Sequence, residues 1–237
     1  MDTFTRREAL GGIAAVGASV GLAGCAGPLV PESVTAAAAP TDVPQAALEE
    51  TGFSHGGTEK VVMDNSAEVS GQTVEYDITN WVSIYYHEFP DRPIPRSRFG
   101  VLATPSVRKM GMEANPVGRK DYDALVRAFS GGTFSARGVT IDVGERVGFL
   151  ETEAQVEPVS YERVGNTQVF VQEIRKPLFT YNTVGRYRGE NYEGKAYVLR
   201  VNHDGDILVI GGGHDRRVDD RAAIKALAQA VVHPVEN

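Results

Sequence analysis

Between Val74 and Tyr86 apolar side chains fall on the even positions Val74, Tyr76, Ile78, Val82, Ile84 and Tyr86, while Glu75, Asp77, Thr79 and Ser83 alternate with them. A period of two lays these residues on one face of extended chain, so the stretch predicts one long strand or a bent pair. Trp81, Tyr85 and Phe89 hold the opposite parity, which predicts that its far end is covered on both faces. Residues 99–107 (F-G-V-L-A-T-P-S-V) predict a second strand ending near Pro105, because proline removes a ladder donor. Tyr122, Leu125, Val126 and Phe129 stand at i, i+3, i+4 and i+7, a helical face that Gly131-Gly132 should end.

Further along, residues 145–164 and 167–175 read as two strands joined at Gly165-Asn166. The clearest element is a hairpin of residues 195–203 and 206–210 around Asp204-Gly205, a pair suited to a type I′ turn. Gly211-Gly212-Gly213 then reads as a flexible exit toward a last helix, with Asp219 as N-cap, Ile224, Leu227, Ala228 and Val231 on one face, and Pro234 as the stop. Six to eight strands and two main helices, with no alternating βαβ units, predict a single α+β domain: a mostly antiparallel sheet with the helices packed on it.

The N-terminus carries a different pattern. Arg6-Arg7 and Glu8 precede an uncharged run from Ala9 to Gly24 that is shorter than the roughly 20 apolar residues of a membrane span. The arginine pair matches the core of a twin-arginine export signal. Leu22-Ala23-Gly24-Cys25 resembles a lipobox, in which the cysteine thiol takes a diacylglyceryl group, and Cys25 is the one cysteine in the chain. Two acyl chains suffice for stable anchoring. The expected organisation is therefore a signal peptide at 1–24, a lipidated Cys25 with a Pro/Ala/Thr-rich tether through 57, and a globular domain at 58–237. This places the protein on the extracytoplasmic face of the cell membrane, held there by its lipid.

Composition narrows the partners. The net charge of −7 is the same with or without residues 1–24, whose Arg6, Arg7, Asp2 and Glu8 cancel. An acidic chain is not expected to bind nucleic acid, which needs a basic surface. With one cysteine no intrachain disulfide can form, so stability must come from the core. The twin-arginine opening, the Leu-Ala-Gly-Cys box and the stalk together resemble haloarchaeal secreted lipoproteins. The globular part is similar to an uncharacterised domain family of that group, a resemblance that implies an address and no mechanism. The hairpin feeding a C-terminal amphipathic helix, over the last quarter of the chain, is similar to the end of the Mog1/PsbP-like fold.

Candidate chemistry is sparse. His203, Asp204 and Asp206 with His214 and Asp215 invite a divalent metal, but Asp204-Gly205 is explained by the turn. His214 also stands at the other end of the strand, roughly 15–20 Å away at ~3.3 Å per residue. Gly211-Gly212-Gly213 lacks the Lys-Ser/Thr of a phosphate loop. No Gly-x-Ser-x-Gly elbow occurs, and His87 among aromatic neighbours reads as a structural histidine. No catalytic residue, metal site or cofactor is expected. Tyr181, Arg186, Tyr187, Arg188 and Tyr192 lie in a Gly-punctuated stretch read as a connection between strands, and these residue types concentrate binding energy. They are the candidate surface for a protein partner. The expected function is a noncatalytic binding or assembly domain displayed at the cell surface. The alternative is an extracytoplasmic hydrolase whose site assembles only in three dimensions, for which a histidine paired with a carboxylate in a pocket would speak.

Overall fold

The computed structural model describes residues 33–69, 72–89, 96–109, 112–113, 115–131, 133–136, 139–142, 157–187 and 190–235. In chain order the elements are β1 (Ser33–Ala37), α1 (Gln45–Thr51), β2 (Ser54–Val69), β3 (Gln72–Glu88), β4 (Arg96–Pro105), β5 (Arg108–Lys109), β6 (Met112–Glu113), α2 (Pro116–Arg119) and α3 (Tyr122–Gly131). These are followed by β7 (Thr133–Ala136), β8 (Val139–Asp142), β9 (Glu157–Val171), β10 (Ile174–Tyr187), β11 (Glu190–His203), β12 (Asp206–Asp215) and α4 (Arg221–Ala230).

Eight strands form one sheet in the order β1-β3-β4-β12-β11-β10-β9, with β2 also on β3. β2 pairs along β3 from Gln72 to Tyr86, so β1 (opposite residues 75–79) and β4 (opposite residues 81–88) share the other edge of β3 end to end. The β1–β3 pairing is parallel, against antiparallel pairing elsewhere in the sheet. β5–β6 and β7–β8 are separate two-stranded ribbons.

Both faces of the sheet are packed. Ile78, Val82, Ile84, Leu102, Val198 and Val209 point to one side, where Leu125 and Val126 of α3 and Val117 of α2 meet them. Tyr85, Phe99, Val101, Tyr197, Leu199, Leu208 and Ile210 point to the other, beneath Leu48 of α1 and Ile224, Leu227 and Ala228 of α4. Alternation of side chains along each strand sorts these two sets, and full burial of a Leu or Ile is worth about 1.5–3 kcal/mol. β12 lies between β4 and β11 and is buried over its whole length.

These findings correct the expected α+β class. The protein is mostly β, an eight-stranded mixed sheet with few, short helices, rather than a sheet with two main helices. Strands run straight through glycines that the sequence pattern reads as breaks. β12 continues through Gly211-Gly212-Gly213 to Asp215, and β9 passes through Gly165. The β9–β10 turn is Gln172-Glu173, both at positive φ (48° and 62°). The expected β11–β12 turn does form, with Asp204 at φ 47° and Gly205 at φ 83°.

The domain also starts earlier than residue 58. Ser33–Ala37 is stitched into the sheet, Ala38, Val43, Leu48 and Phe53 are core residues, and the Ala39 amide donates to Asp206 Oδ2 at 2.8 Å. The Pro/Ala/Thr composition of this stretch masked apolar positions five residues apart (43, 48 and 53), which match neither a helical nor a strand period.

Candidate functional site

On the face covered by α1 and α4, one row of paired residues crosses the sheet: Gly165, Thr180, Tyr197, Gly212, Phe99 and Tyr85. α4 lies over the Gly212 part of this row. Its apolar stripe of Ile224, Leu227 and Ala228 is buried, which turns Arg221 and Lys225, one helical turn apart, to its flank. At Gly165 and Thr180 the row carries little side chain, and a cleft of about 490 Å³ opens there beneath the start of α4. A second lobe of about 290 Å³ shares Thr180, Tyr197, Asp219 and Arg221, and adds Lys225, Thr167 and Leu178. Volumes of this size suit a small molecule.

The turn before α4 is pinned from below. Asp215, almost fully buried, accepts from the Arg217 backbone N–H at 2.8 Å and pairs with its guanidinium. Burial pushes the Asp215 carboxyl upward, but the Arg217 side-chain bonds, backbone bond and charge outweigh it and hold Asp215 below the ordinary carboxylate range. The Arg216 amide donates to the Glu193 carbonyl at 3.1 Å, and its side chain pairs with the Glu193 carboxylate. Asp220, rather than the expected Asp219, stands at the N-cap position of α4, and it makes no side-chain cap. Its Oδ2 lies 3.2 Å from His87 Nδ1 instead.

The floor of the cleft is neutral and its rim is cationic. His214 donates from Nδ1 to the Asp215 carbonyl at 2.8 Å, so its Nε2 accepts from the Tyr197 hydroxyl at 3.0 Å. Burial, with Asp219 and Asp220 adding and Arg221 opposing, leaves Tyr197 pushed up to about 12. Around this pair stand Lys195, Arg216, Arg221 and Lys225, against Asp219 as the lining carboxylate. Lys195 donates to the neutral Asn182 amide oxygen. Among the described residues, Arg221 and Lys225 have no carboxylate partner.

The other histidines are committed elsewhere. His87 is flanked by the Phe53 and Phe89 rings, and its Nε2 edge lies against Gly52, where a Cβ would come to 3.2 Å. His233 bonds Asp206 Oδ2 through Nε2 at 3.0 Å and His203 through Nδ1 at 3.2 Å. His55 Nε2 bonds the Thr58 hydroxyl at 3.0 Å. Among the described residues three His–Asp pairs exist, His87–Asp220, His233–Asp206 and the looser His203–Asp204 at 3.7 Å, none lining the cleft. Among the described residues no group of three His, Cys, Asp or Glu could hold a metal ion. His203 and Asp206 pair at one end of β12, and His214 stands near the other.

The residues singled out in the sequence fare differently. Arg6, Arg7, Cys25 and Arg188 lie outside the described residues. Tyr181, Arg186, Tyr187 and Tyr192 belong to the paired strands β10 and β11 rather than to a loop. Tyr181 is buried on the sheet face opposite the cleft, its hydroxyl donating to Asp123 Oδ1 at 2.7 Å, and burial and Asp123 push its ionisation upward. The side chains of Arg186, Tyr187 and Tyr192 lie outside the described residues. The cleft residues were missed, although a signal existed: Arg221 and Lys225 sit four apart on the polar side of a helix in an acidic chain.

Compared with known families, residues 40–232 match the one described as Domain of unknown function (DUF6517), a span that holds the whole cleft and every strand of the sheet except β1. No curated protein matches the chain.

Proposed function

We propose, for a chain that belongs to the DUF6517 family, an exported, lipid-anchored protein whose domain binds a ligand or partner at the extracytoplasmic face of the cell membrane without catalysing a reaction. The observation that carries this reading is the order of parts: Arg6-Arg7, an apolar run, Leu22-Ala23-Gly24-Cys25, and a described domain that includes residues from Ser33 onward. A diacylated Cys25 would then hold the domain within about 30 Å of the bilayer at full extension, far closer than a tether through residue 57 would allow. Binding without turnover is supported by a cleft with positive charge and hydroxyl donors, whose one histidine spends both ring nitrogens on Tyr197 and Asp215. The hydrolase alternative finds three His–Asp pairs among the described residues, but His87 turns its Nε2 edge to Gly52, His233 uses both nitrogens internally, and Nδ1 of His203, the atom nearest exposed Asp204, is bonded to His233.

The test is the mass and membrane partition of the mature protein from cells that make it, wild type beside Cys25→Ser. The expected result is a chain beginning at Cys25 with a diacylglyceryl group in the membrane fraction, and a variant that is released or unprocessed. A full-length, unmodified soluble chain overturns the proposal.

A further inference from the structure

We propose that the cleft beneath α4 is a binding site for a small, freely diffusing polyanion, a molecule with two or more carboxylate, phosphate or sulfate groups on a short carbon frame. In a protein of net charge −7, four cationic side chains converge on this one opening. Glu193 neutralises Arg216, Asp215 is taken by Arg217, and Asp220 by His87. That leaves Asp219 facing Lys195, Arg221 and Lys225, a net positive site. Arg221 and Lys225 on one helical flank have Cβ atoms about 6 Å apart, and Lys195 faces them from β11, so the charges are spaced to hold separate oxyanion groups. A guanidinium grips such groups in bidentate fashion, and a lysine acts as a point charge.

The neutral lining points the same way. Thr167 and Thr180 offer hydroxyl donors, which suit oxyanions. Leu178, Val218 and Ala222 supply apolar wall for the carbon frame. The sheet register separates the cleft from Ser33, the first described residue. Ser33 pairs with Glu75, whereas the Tyr197 row meets β3 at Tyr85. Ten residues of strand separate these levels, roughly 33 Å at ~3.3 Å per residue. If the lipid anchor of the preceding proposal holds, the cleft lies at the level of the sheet farther from the anchored end; this choice of a soluble polyanion over a lipid headgroup rests on that reading.

The test is titration calorimetry of the mature chain in detergent at about 0.1 M salt, with citrate and with pyrophosphate as probes and glucose as the neutral control. Saturable binding of at least one polyanion, none of glucose, and a weakening of about tenfold or more in each of Arg221→Gln and Lys225→Gln is expected, since each variant removes a charge-assisted contact. Lys60→Gln, on β2, should leave affinity unchanged, and unchanged melting temperatures would show that the cleft variants still fold. No response to either polyanion, or binding that ignores the Arg221 and Lys225 substitutions, overturns the proposal. So does Cys25→Ser protein that binds phosphatidylglycerol vesicles through Arg221 and Lys225 while ignoring citrate and pyrophosphate, which would make the site a headgroup site. Because the titration uses isolated protein, its failure leaves the membrane address standing, and failure of the lipidation test leaves the polyanion site standing.

Discussion

Ile224 of α4 stands directly on Gly212 of β12: a Cβ added at Gly212 would lie 2.8 Å from Ile224 Cγ2 and 3.1 Å from the carbonyl oxygen of Arg98. Neither a packed isoleucine nor a backbone carbonyl in the next strand can withdraw without moving its element. The glycine is what lets the helix seat on the sheet.

Gly212→Ala should therefore destabilise the fold by about 1–3 kcal/mol, the usual cost of overpacking a filled site, read as a fall in thermal midpoint. Gly212→Ala combined with Ile224→Ala should cost less than the sum of the two, because the second change removes the atom the first one strikes. Additive effects would show that α4 does not rest on Gly212.

Stability should fall on the acid side through Asp215. Its folded ionisation lies below the ordinary carboxylate value, so its contribution is complete above the unfolded value near 4 and is lost as pH falls through the lower folded one. In urea unfolding, Arg217→Ala should be less stable than wild type at neutral pH by about 1 kcal/mol, a modest figure because the Arg217 side chain is half exposed. The gap should close from about pH 5 downward. A gap independent of pH would sever the link to Asp215.

Asn115 ties the start of α2 to the end of β4 through three bonds while almost fully buried. Its Oδ1 accepts from the Val117 amide at the start of α2 (2.9 Å), and its Nδ2 donates to Thr104 Oγ1 (2.8 Å) and to the Pro105 carbonyl (2.7 Å). Asn115→Ala leaves buried groups unpaired and should cost about 3 kcal/mol. Chemical denaturation with an unchanged m-value would read this directly, and a loss below about 0.5 kcal/mol would contradict it.

Asp206 holds the Ala39 and His233 segments to the sheet by accepting from Ala39 N–H and His233 Nε2. Beside it, the Asp42 and Val232 backbones exchange bonds of 3.1 and 2.8 Å. Asp206→Ala should cost about 3 kcal/mol and raise hydrogen exchange at the Asp42 and Val232 amides ahead of the core of β12. Uniform loss of protection would mean that these segments do not open as a separate unit.

What could be read in the chain followed the rule that one period governs one element. The hairpin around Asp204-Gly205 was legible because both residues tolerate the positive φ that a type I′ turn demands. The α3 and α4 faces were legible because Leu125 and Val126, and Ile224 with Leu227 and Ala228, keep helical spacing. The turn at Gln172-Glu173 was not, because tertiary pairing of β9 with β10 forces left-handed backbone on residues with no local preference for it. The glycines of β12 misled for the opposite reason: they read as a break, and the middle one, Gly212, lacks a side chain where Ile224 packs closely above it. The cleft was hidden because its parts, Gly165, Thr180, Tyr197 and Arg221, come from four elements that only sheet register aligns.

The parallel seat of β1 beside β3 has a mechanical consequence. A chain held by lipid at Cys25 and tugged by whatever its domain grips would be loaded through Ser33, along the axis of β1. Paired in parallel with β3 over residues 33–37, that strand must slide against its neighbour with its hydrogen bonds strained together. A hairpin pulled from its open end would instead surrender them one at a time. Under such a load Ser33–Ala37 would act as a shear clamp, and the domain would resist tension where an anchored protein feels it.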